Sequence, residues 1–515
     1  MSGSLGELPS LAAAVLQPGF EGTEVPDWVR RWLGEGLGAV VLFARNVVDP
    51  QQVGALTAGL RAERPDVLVA IDEEAGDVTR FESRQGSSRP GNLALGAVDD
   101  PELTEAVARD LGLELAAAGI NLNYAPDADV NSNPDNPVIG VRSFGATPDL
   151  VARHTAAWVR GLQSAGVAAC AKHFPGHGDT SVDSHLDVPR IRSSRAQLDA
   201  GELPPFRAAI DAGVQAVMTG HLLVPAIDDR WPATLSQRVL VGLLRDELGF
   251  QGAVITDGIE MRAITDRYGI ERATVRALAA GVDAICVGGD HADEGSAIRL
   301  RQAIVDAVVA GELPEERLVE AAKRVGQLAA WAAAARADRT PPAAAGSPPD
   351  RAAVNGAGGS PIGMAAARRA LRLTLAPRPE RAARLPLAGP AHVVEFAPPR
   401  NIAIGAETPW GLGGPLAELL PGTTTIRLAA DGTDEALAAA ALLPAVGRPL
   451  VLVVRDLHRH RWMADAVGRL LAARPDAVVV ELGLPERVVG EVHLATHGAT
   501  RAAGQAAARL LAGRS

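Results

Sequence analysis

Cysteine occurs only twice in 515 residues, as Cys170 and Cys286. Two cysteines supply neither a disulfide framework nor, alone, a cysteine-based metal cluster. Aromatic residues make up 3% of the chain, which disfavours a long aromatic-lined polysaccharide groove. Positive charge is in the minority: 50 Lys plus Arg stand against 61 Asp plus Glu, a formal net charge of -11. That balance supplies no overall attraction to nucleic acid or to an anionic membrane, and neither partner is expected. No apolar run approaches the ~20 residues needed to span a bilayer. The opening Met-Ser-Gly-Ser-Leu-Gly-Glu-Leu lacks the basic and apolar stretches of a secretory signal. The expectation is a cytoplasmic protein. With 47% apolar and 22% charged residues, the chain has the composition of a folded globular protein.

Across residues 10–330, short runs rich in Val and Ile alternate with longer helical stretches. Strands are expected at Leu11–Gln17, Ala39–Ala44, Val67–Ile71, Ile120–Ala125, Val167–Lys172, Val214–Thr219, Ala253–Thr256 and Ala284–Val287. Amphipathic segments such as Asp100–Ala118, Asp149–Ala165, Arg195–Ala212 and Gln237–Leu248 separate them. Alternating strands and helices imply parallel pairing. Eight such units in roughly the ~250 residues of a closed barrel fit a (β/α)8 TIM-type fold. A doubly wound open sheet is the other topology the alternation permits. This catalytic barrel domain is assigned to residues 1–335. Residues 336–361, rich in Pro, Ala and Gly, read as a linker, because Pro breaks helices and Gly adds chain entropy. Residues 362–515 carry further strand candidates at Leu371–Leu375, Val393–Phe396, Thr424–Leu428, Leu450–Val454 and Ala477–Glu481, with helices at Arg461–Ala473 and Ala499–Leu511. They form a second, smaller α/β domain.

Ionisable residues follow the strands of the first domain. Ile71 leads into Asp72-Glu73-Glu74, Tyr124 into Pro126-Asp127-Ala128-Asp129, Cys170 into Lys172-His173, Met218 into His221, and Thr256 into Asp257. In a barrel all of these lie at the C-terminal rim, where active sites sit.

The densest stretch is Lys172-His173-Phe174-Pro175-Gly176-His177-Gly178-Asp179-Thr180-Ser181-Val182-Asp183-Ser184-His185. Its Pro and Gly residues make it a loop. Three readings are open from the residues alone. It could be a solvated loop with incidental histidines. It could hold a metal through His173, His177, Asp179 and His185, although the spacing is not that of a helical zinc motif. It could perform acid/base chemistry on a sugar, which requires a carboxylate nucleophile and a proton donor. Asp257 has the place for the nucleophile, delivered by the run Ala253–Thr256 to the barrel mouth; by itself it could equally be a helix N-cap.

The segment Lys172 to Pro189 closely resembles the signature loop of the glycoside hydrolase family 3 β-N-acetylglucosaminidases. Leu42-Phe43-Ala44-Arg45-Asn46, Ile71 to Arg80, Ala125 to Gly145 and Ile255-Thr256-Asp257-Gly258 resemble the same family in the same order. The resemblance implies a (β/α)8 barrel followed by a smaller α/β sandwich domain. It implies that Asp257 is the nucleophile, His185 the general acid/base and Asp183 its partner. It further implies that Asp72, Arg80, Arg142, Lys172 and His173 hold the N-acetylglucosamine, with no cofactor and no metal. Carboxylates accept from sugar hydroxyls while Lys and Arg donate to them. A histidine beside a carboxylate can give and take a proton near neutral pH. The sequence departs from the family at Asp77, where an arginine is common, and at Gly258, where a second Asp is common. His458, His460 and His497 of the second domain read as surface or loop residues.

The expected partner is thus a small-molecule amino-sugar glycoside, from cell-wall fragments or chitooligosaccharides. A glycoside phosphorylase is the neighbouring enzyme class, since a histidine acid/base leaves less negative charge near the anomeric carbon and could admit phosphate. A non-catalytic amino-sugar-binding protein is the third possibility.

Overall fold

A computed structural model describes residues 7–180, 188–289, 291–338, 359–376, 385–399, 401, 403–405, 407–430 and 434–514. The chain divides into two compact units. The first comprises Met1–Glu74, Pro101–Ile139 and Ala146–Pro349; the second comprises Ala75–Asp100, Gly140–Gly145 and Asp350–Ser515. Residues 75–100 and 140–145, which the sequence reading assigns to the barrel domain, therefore group with the second unit. Helix continues to Ala337 and resumes at Pro361, so most of the 336–361 linker lies outside the described residues.

The first unit contains eight short strands: β1 (Leu16–Pro18), β2 (Ala39–Leu42), β3 (Leu68–Ile71), β4 (Leu122–Asn123), β5 (Ala168–Phe174), β6 (Ala216–Thr219), β7 (Ala253–Thr256) and β8 (Ile285–Val287). β2 to β7 form one parallel sheet in sequence order, and β1 pairs in parallel with β8. A parallel bridge between Ile255 and Ala284 joins β7 to β8, and β1 lies against β2. The expected TIM-type barrel is what these strands form. Successive strand residues face opposite sides, so every second residue turns inward: Ala39 and Val41, Leu68 and Ala70, Ala168 and Cys170, Ala216 and Met218, Ala253 and Ile255 share one buried cluster. The helix Glu315–Ala337 adds Val325, Leu328, Ala329 and Ala332 to it. Just before β8, buried Asp283 accepts from Arg245 at 2.6 Å, from Arg317 at 2.5 Å and from the Val254 N–H at 2.9 Å. These bonds pin the strand starts, opposite the rim where the strands end.

Two local expectations need correction. The run expected as strand Leu11–Gln17 opens as the helix Leu8–Ala14, because Pro9 suits a first helical turn and Ala12–Ala14 favour helix. The segment Arg195–Ala212 is two helices, Arg195–Ala200 and Pro204–Asp211, separated where Gly201 and Pro204 interrupt the hydrogen-bond ladder.

The second unit has a six-stranded sheet. Its strands are β9 (Arg372–Leu375), β10 (His392–Phe396), β11 (Thr424–Leu428), β12 (Leu450–Val454), β13 (Val478–Glu481) and β14 (Val492–Ala495), in the order β11-β10-β12-β13-β14-β9. All pairs are parallel except the antiparallel edge pair β14–β9. Strand β14 went unrecognised in the sequence. One face of the sheet buries Val393, Val451, Val453 and Val480 against Leu416 and Leu511; the other buries Val394, Leu452 and Val454 against Met463 and Leu470. This is the layered α/β sandwich, with segment 75–100 built into the unit. Buried Asp77 pairs with Arg455 and accepts the Ala499 N–H at 2.8 Å. Glu82 accepts from Arg501 at 2.9 Å. Among the described residues no helix is long and apolar enough to cross a membrane.

Candidate active site

The strand ends of the barrel unit carry the polar residues expected there. Strand β3 ends at Ile71 and releases Asp72, Glu73 and Glu74; strand β5 runs through Lys172 and His173. Lys172 is buried, and its Nζ donates to Asp72 Oδ1 and, at 2.7 Å, to Glu74 Oε1. A buried ammonium requires such partners. The bonds hold the Lys172 and Asp72 side chains against each other, offering a donor and an acceptor at one spot.

His173 is held by a carboxylate from β4's loop. Its Nδ1 lies 2.7 Å from Asp129 Oδ2. Asp129 Oδ1 accepts the backbone N–H of His177 at 2.7 Å and that of His173 at 3.3 Å. Burial raises the Asp129 pKa, but the His173 and His177 rings and these donors outweigh it and hold the carboxyl below its ordinary range. The carboxylate fixes a proton on Nδ1 of His173. The Asp-x-Asp run after β4 carried this signal, yet the sequence reading gave Asp129 no role.

The segment that continues toward the expected acid/base is anchored before it leaves the described region. Asn136 Nδ2 donates to the carbonyls of His177 at 2.8 Å and Gly178 at 3.1 Å, and Thr180 Oγ1 lies 2.8 Å from His177 Nδ1. A Cβ on Gly178 would fall 1.7 Å from the Val130 carbonyl oxygen, so only glycine fits. Below Gly176 sits the buried carboxyl of Glu202, whose Oε2 has no hydrogen-bond partner among the described residues. Burial, then the charges of Asp129 and Asp179, push Glu202 up to about 8. Asp183 and His185 lie outside the described residues.

Asp257 follows β7 directly. Its Oδ1 accepts the Gly258 N–H at 2.8 Å, and its own N–H donates to the Thr219 carbonyl at 3.2 Å. Three residues on, Glu260 Oε1 accepts the N–H groups of Gly288 at 2.9 Å and Gly289 at 2.5 Å. Burial, with help from Asp257, raises the Glu260 pKa. From the other side Arg45 donates to the Gly288 and Gly289 carbonyls. The Phe43-Ala44-Arg45-Asn46 stretch thus serves the architecture, tying β2's end to β8's. Convergence of the rim residues is registered by the inward Cys170: burial raises its thiol pKa, the charge of Lys172 opposes that, and Asp72 and Asp257 add to it.

Of the expected site residues, Asp72, Lys172, His173 and Asp257 thus occupy the strand ends of one barrel. Arg80 and Arg142 belong to the second unit, where Arg80 Nη2 donates to the Ala403 carbonyl at 3.0 Å and Arg142 is buried, its carbonyl accepting from Asn92 at 2.7 Å. Asp77, where the sequence exchanges a common cation for an anion, has its charge compensated by Arg455. His497 is a loop residue but a buried one, and burial lowers its pKa to about 4.

Asp127, Asp129 and His173 are the described residues that could hold a metal ion, with candidate ligand atoms within 4.8 Å of one another. The donor set is chemically apt for a divalent ion. In the described arrangement, however, His173 Nδ1 is engaged with Asp129, and both Asp129 oxygens receive N–H groups.

A family model described as "Glycosyl hydrolase family 3 N terminal domain" matches residues 20–328. Beta-hexosaminidase A of Pseudoalteromonas piscicida is 36% identical over 316 residues, which cover 57% of this chain and 53% of that protein. The chain therefore spans about half the length of that relative. A beta-hexosaminidase of Alkalilimnicola ehrlichii is 38% identical over 279 residues, covering 52% of this chain and 79% of the relative. Among solved structures, a glycoside hydrolase family 3 beta-N-acetylglucosaminidase from Paenibacillus sp. str. FPU-7 superimposes with a TM-score of 0.83 at 34% identity, over 98% of this chain and 97% of that one.

Proposed function

The chain belongs to glycosyl hydrolase family 3, and from that premise we propose that it is a retaining exo-β-N-acetylglucosaminidase. It removes terminal N-acetylglucosamine from cell-wall fragments or chitooligosaccharides in the cytoplasm. The observation that carries the reading is the carboxylate of Asp257 at the end of β7, in a barrel whose other strand ends carry Asp72, Lys172 and His173.

In the proposed first step, Asp257 attacks the anomeric carbon while the C–O bond to the aglycone breaks. His185 gives its proton to the departing oxygen, and Asp183 orients and charges the imidazole. In the second step His185 takes a proton from water, whose oxygen attacks the anomeric carbon and releases Asp257. Two inversions at one carbon give net retention. Asp72, Lys172 and His173 hold the sugar hydroxyls, Lys172 as donor and Asp72 as acceptor.

Asp257→Ala tests the reading. Turnover of a chromogenic N-acetylglucosaminide should fall by several powers of ten, since no covalent intermediate can form. The purified variant should keep the wild-type unfolding midpoint. Near-normal turnover would remove Asp257 from the mechanism.

A further inference from the structure

His221 at the end of β6 takes no part in the reaction just described, although it is fully buried beside the residue that follows Asp257. Its Nε2 lies 2.9 Å from the carbonyl oxygen of Gly258, and its Nδ1 lies 2.8 Å from Thr234 Oγ1. A carbonyl oxygen only accepts, so Nε2 carries the proton and donates it to Gly258. Thr234 in turn anchors to β6's end, 2.8 Å from Thr219 Oγ1 and 3.1 Å from the Gly220 carbonyl.

Gly258 is the residue whose N–H binds Asp257 Oδ1 at 2.8 Å. It has no side chain of its own to anchor, and a glycine backbone is freer than any other. Its orientation must come from what grips its polar groups. His221 grips the carbonyl together with the Met261 N–H at 3.0 Å, and the Ile259 N–H of the same peptide donates to the Cys286 carbonyl at 3.0 Å; the backbone held there leads straight back to the N–H that meets the carboxylate. We infer that His221 is a positioning residue for the nucleophile, fixing the Asp257 carboxylate through the Gly258 backbone. The inference rests on Asp257 being the nucleophile.

The geometry dictates the substitutions. In His221→Gln the side-chain amide reaches the Nε2 position and can still donate to Gly258. In His221→Asn it reaches only the Nδ1 position, toward Thr234. His221→Met keeps much of the volume and neither bond, and serves should the Asn variant fail to fold. A misplaced reacting group can cost up to about a hundredfold. The Asn and Met variants should therefore lose about 10- to 100-fold in kcat, with KM changed less than about threefold, while Gln recovers most of the loss. Equal kcat in the Gln and Asn variants, or a loss expressed only in KM, would overturn the inference. A fluorinated N-acetylglucosaminyl fluoride that accumulates the glycosyl-enzyme keeps the two readings apart. In the wild type the labelled peptide must contain Asp257, and the Asn variant must label the same peptide more slowly. A label elsewhere in the wild type would overturn the assignment of the nucleophile, and the His221 role with it.

Discussion

Asp129 Oδ2 and His173 Nδ1 are 2.7 Å apart in a pocket where the carboxylate is fully buried. The pair orients the imidazole and keeps its Nδ1 protonated. The same carboxylate ties down the His177 backbone, so one residue organises both ends of the Lys172–His177 turn.

Asp129→Asn should therefore weaken catalysis without abolishing it. The amide retains the shape but loses the charge that supports His173. A hydrogen bond to a charged group is worth about 1.5–3 kcal/mol, so kcat/KM for a chromogenic N-acetylglucosaminide should fall about 10- to 100-fold. A variant as active as wild type would show that His173 needs no such support.

Glu202 makes the stability of the protein depend on pH. Burial, with Asp129 and Asp179, raises its pKa from 4.5 to about 8. Between those values the folded protein holds a proton that the unfolded chain has lost. Stability from this group is thus greatest below pH 4.5, falls as pH rises toward about 8, and levels off above it. Glu202→Gln cannot ionise and lacks this slope. Its unfolding midpoint should gain on that of wild type steadily between about pH 5 and pH 8. A difference independent of pH would mean that Glu202 is charged in the folded protein.

His185→Ala separates proton donation from binding. Substrates with basic leaving groups need the proton and should slow severely, whereas an activated aryl glycoside departs with little help. Asp183→Ala should show a milder version of the same pattern. Equal slowing of both substrate types would assign His185 to binding instead.

Much of this arrangement was legible in the sequence because barrel strands are short apolar runs whose ends carry the chemistry. Asp72, Lys172, His173 and Asp257 each stand directly at such an end. Less legible were relationships that depend on distant backbone. Asp129 and His173 are 44 residues apart, and only the fold brings the β4 and β5 loops together. The His221 bond to Gly258 depends on which ring nitrogen faces which group, a matter of packing. Strand β14 is four residues long with a histidine inside, and acquires its identity from β13 and β9 on either side. The grouping of residues 75–100 with the second unit was invisible for the same reason: it rests on pairs such as Asp77–Arg455, separated by 378 positions.

That last pair bears on both stability and specificity. Asp77 and Arg455 expose only 4% and 14% of their side chains. Removing one partner of a buried ion pair leaves the other charge uncompensated, at a cost of about 3–5 kcal/mol, whereas removing both costs far less than the sum. Asp77→Asn, Arg455→Met and the double variant form the cycle; the Asn amide still accepts the Ala499 N–H. In urea unfolding the double variant should be markedly more stable than the two single losses added together. Additive losses would show that the two charges do not depend on each other. Because Asp77 is neutralised internally, it should not repel an acidic sugar. The ratio of kcat/KM for an acidic over a neutral aglycone should be the same in wild type and in the double variant, which removes both charges together. A rise of that ratio in the variant would place the Asp77 charge within reach of the substrate after all.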